Sequence, residues 1–302
     1  MTKSILYSIG KTSLGELVKA SDAQKEISYA CPICSQPLVL RKGSQKRPHF
    51  AHKVLSPNCK PETALHYSFK TLLFQKIREH LEKKLALPIL WHCCKCSSTH
   101  TGNLLKKATS ASLEHNLGVC QPDIALMDSS GNVVVVIEVI VTHKPEESAL
   151  SYYSRKNIAV VSYQLKSDED LNFLEESPLK PSSVSVCTHP KCKKCKNHMP
   201  KKRLLIIEGK CWKCHKPIKV AALDGDMGYE GEFSSGDVQL AAQHGVLIKS
   251  RYSHTMKTQY RANTCQQCGT LIGRHYLFTD YIAMPEYPRQ AIEAGYYCPH
   301  CS

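Results

Sequence analysis

No run in the 302-residue chain approaches the ~18 consecutive apolar residues of a membrane-spanning helix. The first residues, Met-Thr-Lys-Ser-Ile-Leu-Tyr-Ser, lack the apolar stretch of a secretion signal. A cytoplasmic protein without a membrane partner is the resulting expectation. Negative charge is also short. Against 40 Lys and Arg stand 26 acidic residues, a formal charge of +14. That balance argues against a purely scaffolding adaptor between proteins and favours a polyanionic partner, nucleic acid and DNA in particular. The chain is 42% hydrophobic, enough for an ordered protein, and its length suffices for two or three domains.

Cysteine, by contrast, is plentiful. Twelve of the 16 cysteines stand in six Cys-x-x-Cys pairs, at 31/34, 93/96, 192/195, 211/214, 265/268 and 298/301. A disulfide framework belongs to secreted chains, and no secretion signal is present. Tetrahedral zinc takes two ligands from each of two neighbouring turns, and one Cys-x-x-Cys supplies one such pair. Three or four structural Zn²⁺ ions are expected. Each four-thiolate site carries −2 and each three-thiolate site −1, so the true charge falls below +14 but stays positive.

Which pair joins which is less tightly specified. Cys31, Cys34, His52 and Cys59 can close one site, with His49 as the rival to His52. The Cys93/Cys96 half-site needs a partner, and Cys187, His189, Cys192, Cys195 and His198 are available. Cys211/Cys214 and Cys265/Cys268 read as a four-cysteine ribbon, and Cys298/Cys301 can pair with Cys192/Cys195. Cys120 reads as a buried thiol. The lysines near 191–202 and Arg203 make a candidate phosphate strip. Tyr252, Lys257, Tyr260 and Arg261 mix rings with charge in a way suited to base stacking or to simple packing. A Gly/Asp/Glu-rich loop is expected at 224–237, then a helix at 238–248. The expected domains are 1–60, 61–180 and 181–302.

Residues 122–144 read as two strands joined by a turn at Asp128–Asn132. With Ser130 and Gly131 at its centre, paired positions sum to 261 and Asp123 faces Glu138. Opposed side chains on one face lie roughly 5 Å apart, and two carboxylates there repel unless a cation neutralises them. Mg²⁺ or Mn²⁺ suits such a pair together with substrate phosphate. Glu138 sits in the run VVVVIEVIV, expected as a buried central strand where a lone carboxylate is costly. A helix at 62–84 presents Leu65, Phe69, Leu72, Leu73, Ile77 and Leu81 on one face. Glu62, His66 and Lys70 form an adjoining stripe, which is either solvated or part of a site.

With a strand at 87–92, a helix at 145–156 and a strand at 158–165, the order becomes αβββαβ. Pro122-Asp123 opening one strand and Glu138 in the next resemble the PD-(D/E)XK nuclease core. Cys31-Pro-Ile-Cys34, a basic hairpin, His49-Phe-Ala-His52 and Glu62-Thr-Ala-Leu-His66 resemble the N-terminal half of the competence protein CoiA family. The resemblance implies a restriction-endonuclease-like α/β (α+β) core, flanked by N- and C-terminal zinc-binding β modules. It also implies Mg²⁺- or Mn²⁺-dependent phosphodiester hydrolysis, with Asp123 and Glu138 on the metal and Glu62, His66 and Lys70 beside it. The implied setting is processing of foreign or recombining DNA, or defence. One departure stands out: Ile140 occupies the position of the motif's lysine. Lys144 is the nearest downstream candidate, but in a continuous strand it lies roughly 20 Å beyond Glu138. Lys70 is its rival. A zinc-ribbon protein that binds nucleic acid on a degenerate nuclease fold is the alternative expectation.

Overall fold

In a computed structural model the described residues are 6–44, 46–54, 59–224, 232–253 and 257–301. Of the loop expected at 224–237, residues 225–231 lie outside them. The chain divides into two units, Met1–Thr188 and His189–Ser302, so the N-terminal module and the segment after it share one unit.

The first unit opens with five short strands, β1 (Ile9–Lys11), β2 (Leu17–Lys19), β3 (Tyr29–Ala30), β4 (Pro37–Arg41) and β5 (His49–His52). They form an antiparallel sheet in the order β2-β1-β3-β4-β5. Alternation along β5 turns buried Phe50 and half-buried His52 to one side and His49 to the other. The carboxylate of Asp168, itself buried, accepts from Arg47 and from the Leu6 N–H and so ties this module to the rest of the unit.

Helix α1 (Pro61–Glu82) starts on a proline at its first position, where the missing N–H costs nothing. Leu65, Phe69, Leu73 and Ile77 are buried at 3% exposure or less, and Leu72 and Leu81 flank them half-buried. A hairpin follows, β6 (Pro88–His92) with β7 (Thr99–Asn103). The main sheet is built from β8 (Ser110–Leu113), β9 (Ile124–Met127), β10 (Val133–Ile140), β11 (Ala159–Gln164) and β12 (Ser183–Val184). Its order is β12-β11-β10-β9-β8. Helix α2 (Glu147–Arg155) makes the crossover that lets β10 and β11 run parallel, and the other neighbours are antiparallel.

The strand expected at 87–92 as the first of three therefore belongs elsewhere. Pro88–His92 pairs in its own hairpin, and Ser110–Leu113 takes the place beside β9. Its sequence, Ser-Ala-Ser-Leu, is half-exposed and lacks the β-branched run that marks strands. Between β9 and β10 the turn forms where Gly131 has φ +80° and donates its N–H to the Asp128 carbonyl. Residues 135–137 pair with 126–124, each pair summing to 261, and an irregularity at Val133/Val135 absorbs the slip nearer the turn. Ile124, Leu126 and Ile137 are fully buried and pack with the α1 face, while Val136 packs with Ala149 and Tyr153 of α2.

The second unit holds two three-stranded sheets. The strands β13 (Lys201–Lys210) and β14 (Pro217–Asp224) are followed by α3 (Ser235–Gln243), β15 (Ile248–Ser253), β16 (Thr258–Thr264), β17 (Leu271–Ile272), α4 (Arg274–Leu277) and β18 (Arg289–Tyr296). The sheet orders are β14-β13-β18 and β15-β16-β17. Helix α3 begins three residues before the expected 238, because Ser234 and Asp237 cap each other's backbone N–H groups. It ends well short of 248, where Gly245 takes φ +81° and β15 begins. The whole is a mixed α/β chain dominated by strands.

Candidate metal centres and a carboxylate site

Five of the six cysteine pairs share one local turn. In each, the N–H of the fifth residue bonds back to the carbonyl of the first cysteine, and that cysteine's own N–H bonds to the carbonyl of the sixth residue. The fifth residues are Ser35, Ser97, Lys196, His215 and Gly269, all with φ between 53° and 68°. This turn aims both thiols to one side. At Cys192 the N–H groups of Cys195 and Lys194 point at the sulfur and hold the thiol down to about 6.

The turns come together in four clusters: Cys31, Cys34, His52 and Cys59; Cys93, Cys96, His100 and Cys187; Cys192, Cys195, Cys298 and Cys301; Cys211, Cys214, Cys265 and Cys268. Within each, the ligand atoms all lie within 4.8 Å of one another. Sulfurs on a tetrahedral zinc at ~2.3 Å stand about 3.8 Å apart, whereas a disulfide needs about 2.05 Å. The Cys211–Cys268 and Cys214–Cys265 separations are both 3.8 Å, and no disulfide joins any of the described cysteines. The donor sets, Cys₃His twice and Cys₄ twice, are those of closed structural zinc sites, and the geometry is compatible with them.

In the first cluster Cys34 lies 3.2 Å from His52 Nε2, while His49 turns away and its Nδ1 meets the Arg47 carbonyl at 2.9 Å. Among the ligands weighed from sequence for Cys93/Cys96, only Cys187 is present. The fourth is His100, on β7 directly opposite Trp91. Its Nε2 lies 3.2 Å from Cys96 and its Nδ1 2.9 Å from Thr188 Oγ1, a second contact that holds the ring for metal. No Cys-x-x-Cys rule points to His100, although its place on the strand after the knuckle does. His189 and His198 belong to no cluster and bond backbone carbonyls instead. Cys94 is exposed, and Cys120 lies against Tyr153.

The carboxylate site forms where β9 and β10 meet α1. Carried one step past Ile124–Ile137, the register sets Asp123 opposite Glu138. Asp123 Oδ2 accepts the Val139 N–H at 2.8 Å and lies 3.2 Å from His66 Nε2. Its Oδ1 lies 3.3 Å from Lys70 Nζ. Burial pushes the Asp123 carboxyl up, but the His66 contact, the Val139 N–H and the Lys70 charge outweigh it and hold the group below its ordinary value. Glu138 behaves oppositely. Burial, reinforced by the charge of Asp123, pushes it up to about 7 against the hydrogen bond it accepts from Tyr153 at 2.9 Å.

Lys70 is buried and also meets Glu114 at 2.6 Å. Glu62 and His66 line an open cleft with Lys60, Thr63, Val139, Val141, Thr142 and His143. Lys144 is exposed beyond β10, and among the described residues no hydrogen bond or ion pair joins it to either carboxylate. Sequence reasoning passed over Glu114 and Tyr153. Glu114 carries no motif signal, and Tyr153 comes from the crossover helix.

A strand-rich α/β protein with four Cys/His clusters suited to structural zinc is the class that fold and sites define. Residues 16–61 match the family model described as Competence protein CoiA, N-terminal domain. No curated protein and no solved structure matches the chain.

Proposed function

We propose that the first unit is a CoiA-like nuclease: α1, β8–β10, α2 and β11 form a restriction-endonuclease-like αβββαβ core that hydrolyses phosphodiester bonds in DNA. The observation that carries this reading is that Asp123, facing Glu138 across the hairpin, meets Lys70 and also His66, which lines an open cleft. Asp123 and Glu138 are the residues to hold Mg²⁺ or Mn²⁺, and the raised Glu138 carboxyl is the group a divalent cation would relieve. When bound, that ion supplies an activated water and neutralises charge on the phosphate.

The chain's own residues do the rest. Tyr153 orients Glu138 through its hydroxyl, and His66 and the Val139 N–H fix the Asp123 carboxylate. Lys70, held between Asp123 and Glu114, supplies from α1 the ammonium missing at Ile140, to stabilise charge that develops on the phosphate. At the cleft, Lys60 and the N-terminus of α1 offer positive charge to the DNA backbone, and Glu62 in the same turn offsets part of it. The setting in keeping with this activity is processing of foreign or recombining DNA in the cytoplasm, or defence against it.

A second reading has one observation in its favour. Lys70 already pairs with Asp123, and His66 and the Val139 N–H hold the same carboxylate, so the core can stand without a divalent cation and serve binding alone. Incubation of supercoiled plasmid and of single-stranded DNA with Mg²⁺ or Mn²⁺ decides between them. Cleavage abolished in Asp123→Asn and Glu138→Gln, with DNA binding retained, is the expected result. Lys70→Ala should lose orders of magnitude in rate and Lys144→Ala little. Wild-type protein that binds DNA but never cuts it leaves the binding module.

A further inference from the structure

Of the four residues that mix rings with charge in this region, Tyr260 and Arg261 are spent on packing, while Tyr252 and Lys257 are exposed. Tyr260 is buried beneath Arg274, whose guanidinium lies 5.7 Å from the ring centroid. Arg261 donates to the Phe233 carbonyl and to Ser235. A different ring pair stands at the surface of the second unit. Trp212, inside the Cys211–Cys214 knuckle, and Tyr276, in α4, stack at 5.1 Å between centroids and 9° between planes. They remain 39% and 42% exposed.

Both rings are held. The Trp212 Nε1–H reaches the Leu271 carbonyl at 3.4 Å, and His275 meets Tyr276 edge-on at 5.7 Å. The knuckle turn and its neighbouring strand ends hold the indole, so presenting it to solvent requires no reordering. Lys210, Lys213 and Lys216 are exposed around the knuckle, and Arg274 stands half-buried at the start of α4. Opposing charge is limited. A zinc-loaded Cys₄ cluster contributes −2, Glu208 is paired with Lys219, and half-buried Asp280 accepts from Thr279.

We propose that Trp212 and Tyr276 form a stacking platform for an unpaired nucleic-acid strand, with Lys210, Lys213 and Lys216 along its backbone. Stacked rings with surrounding ammonium groups match the two faces of a single strand, a flat base and a charged phosphate. In a duplex the bases already stack on one another and present no face to such a pair. The proposal rests on the nucleic-acid reading above and names the form of the strand.

The test is binding of the full-length, zinc-loaded protein, without Mg²⁺ or Mn²⁺, to labelled oligothymidylate, oligouridylate and a duplex of equal length. Trp212→Ala and Tyr276→Ala should each weaken binding to the single strands about tenfold. Duplex binding and the salt dependence should stay nearly unchanged, because no phosphate contact is lost. Trp212→Phe keeps a ring and should restore most of the affinity, with zinc content separating this from a broken knuckle. The larger loss, on thymidylate or on uridylate, assigns DNA or RNA. Unchanged single-strand binding in both alanine variants, or equal losses on duplex, overturns the platform and leaves the nuclease reading standing. Protein that binds single strands through these rings but never cleaves has the platform without the nuclease.

Discussion

At the scale of single residues, the cysteine turns rest on a backbone conformation that L side chains resist. Ser35, Ser97, Lys196 and His215 adopt it without being glycine, and Gly269 adopts it freely at φ +68°. A methyl group at Gly269 would meet nothing within 4 Å, so its cost is conformational alone. Gly269→Ala should destabilise by about 1 kcal/mol, read by thermal denaturation. Gly43→Ala is the control, equally open but without positive φ, and should be neutral or slightly stabilising. Glu138 gives a pH-dependent counterpart. Its folded carboxyl is raised from about 4.5 to about 7, chiefly by burial. Ionising it therefore costs stability, a cost absent below the unfolded value and complete once the pH passes the folded one. Without added Mg²⁺ or Mn²⁺, Glu138→Gln should gain on the order of 2–3 kcal/mol at pH 8 and almost nothing near pH 4.5. A gain independent of pH would show that packing, not ionisation, sets the effect.

At the scale of elements, α1 does two jobs with adjoining faces. Leu65, Phe69, Leu73 and Ile77 anchor it to the sheet, and that anchorage fixes where His66 and Lys70 meet Asp123. Phe69 is fully buried and packs 5.1 Å from Tyr163 of β11. Phe69→Ala should cost roughly 3–5 kcal/mol by denaturant titration. The hairpin β6–β7 depends on a different kind of anchor. Cys93, Cys96 and His100 lie on or beside it, and Cys187 reaches them from just after β12. Zinc there would clamp the hairpin to the far end of the first unit. Cys187→Ala should then lower the zinc content by one ion and lower the melting temperature. Cys94→Ala, one residue from a ligand but exposed and outside the cluster, should do neither.

At the scale of the whole molecule, four zinc-loaded clusters would leave about +8 of the formal +14, since two carry −1 and two carry −2. The remaining surplus is still enough to favour a polyanion. Elemental analysis should find four zinc ions per chain, and chelation should destabilise both units, because each holds two clusters. Binding to DNA should weaken linearly in log–log form as salt rises. A flat salt response would mean that the lysines are merely solvated.

The sequence by itself determined what is local. Cys-x-x-Cys makes one turn, and every such turn is set by a handful of consecutive residues. The hairpin and its Gly131 turn are local in this sense, but the register that brings Asp123 to Glu138 also needs the irregularity at Val133/Val135, since the turn centres on Ser129 and Ser130 and pairs Val133 with Met127. Pro61 and the apolar spacing of α1 place that helix within two residues of its expected end. Tertiary structure decided the partnerships across long stretches of chain. His100 completes a cluster because β7 pairs with β6, and Cys187 because the chain returns past β12. Ser110–Leu113 becomes a strand because β9 offers an edge, not because its own residues prefer one. Lys70 reaches Asp123 only once the apolar side of α1 is buried, and Trp212 meets Tyr276 only when α4 packs beside the knuckle. Local hydrogen bonds and steric preference act over a few residues and can be read in order. Packing selects among distant residues with equal local claims, and spacing along the chain does not encode that choice.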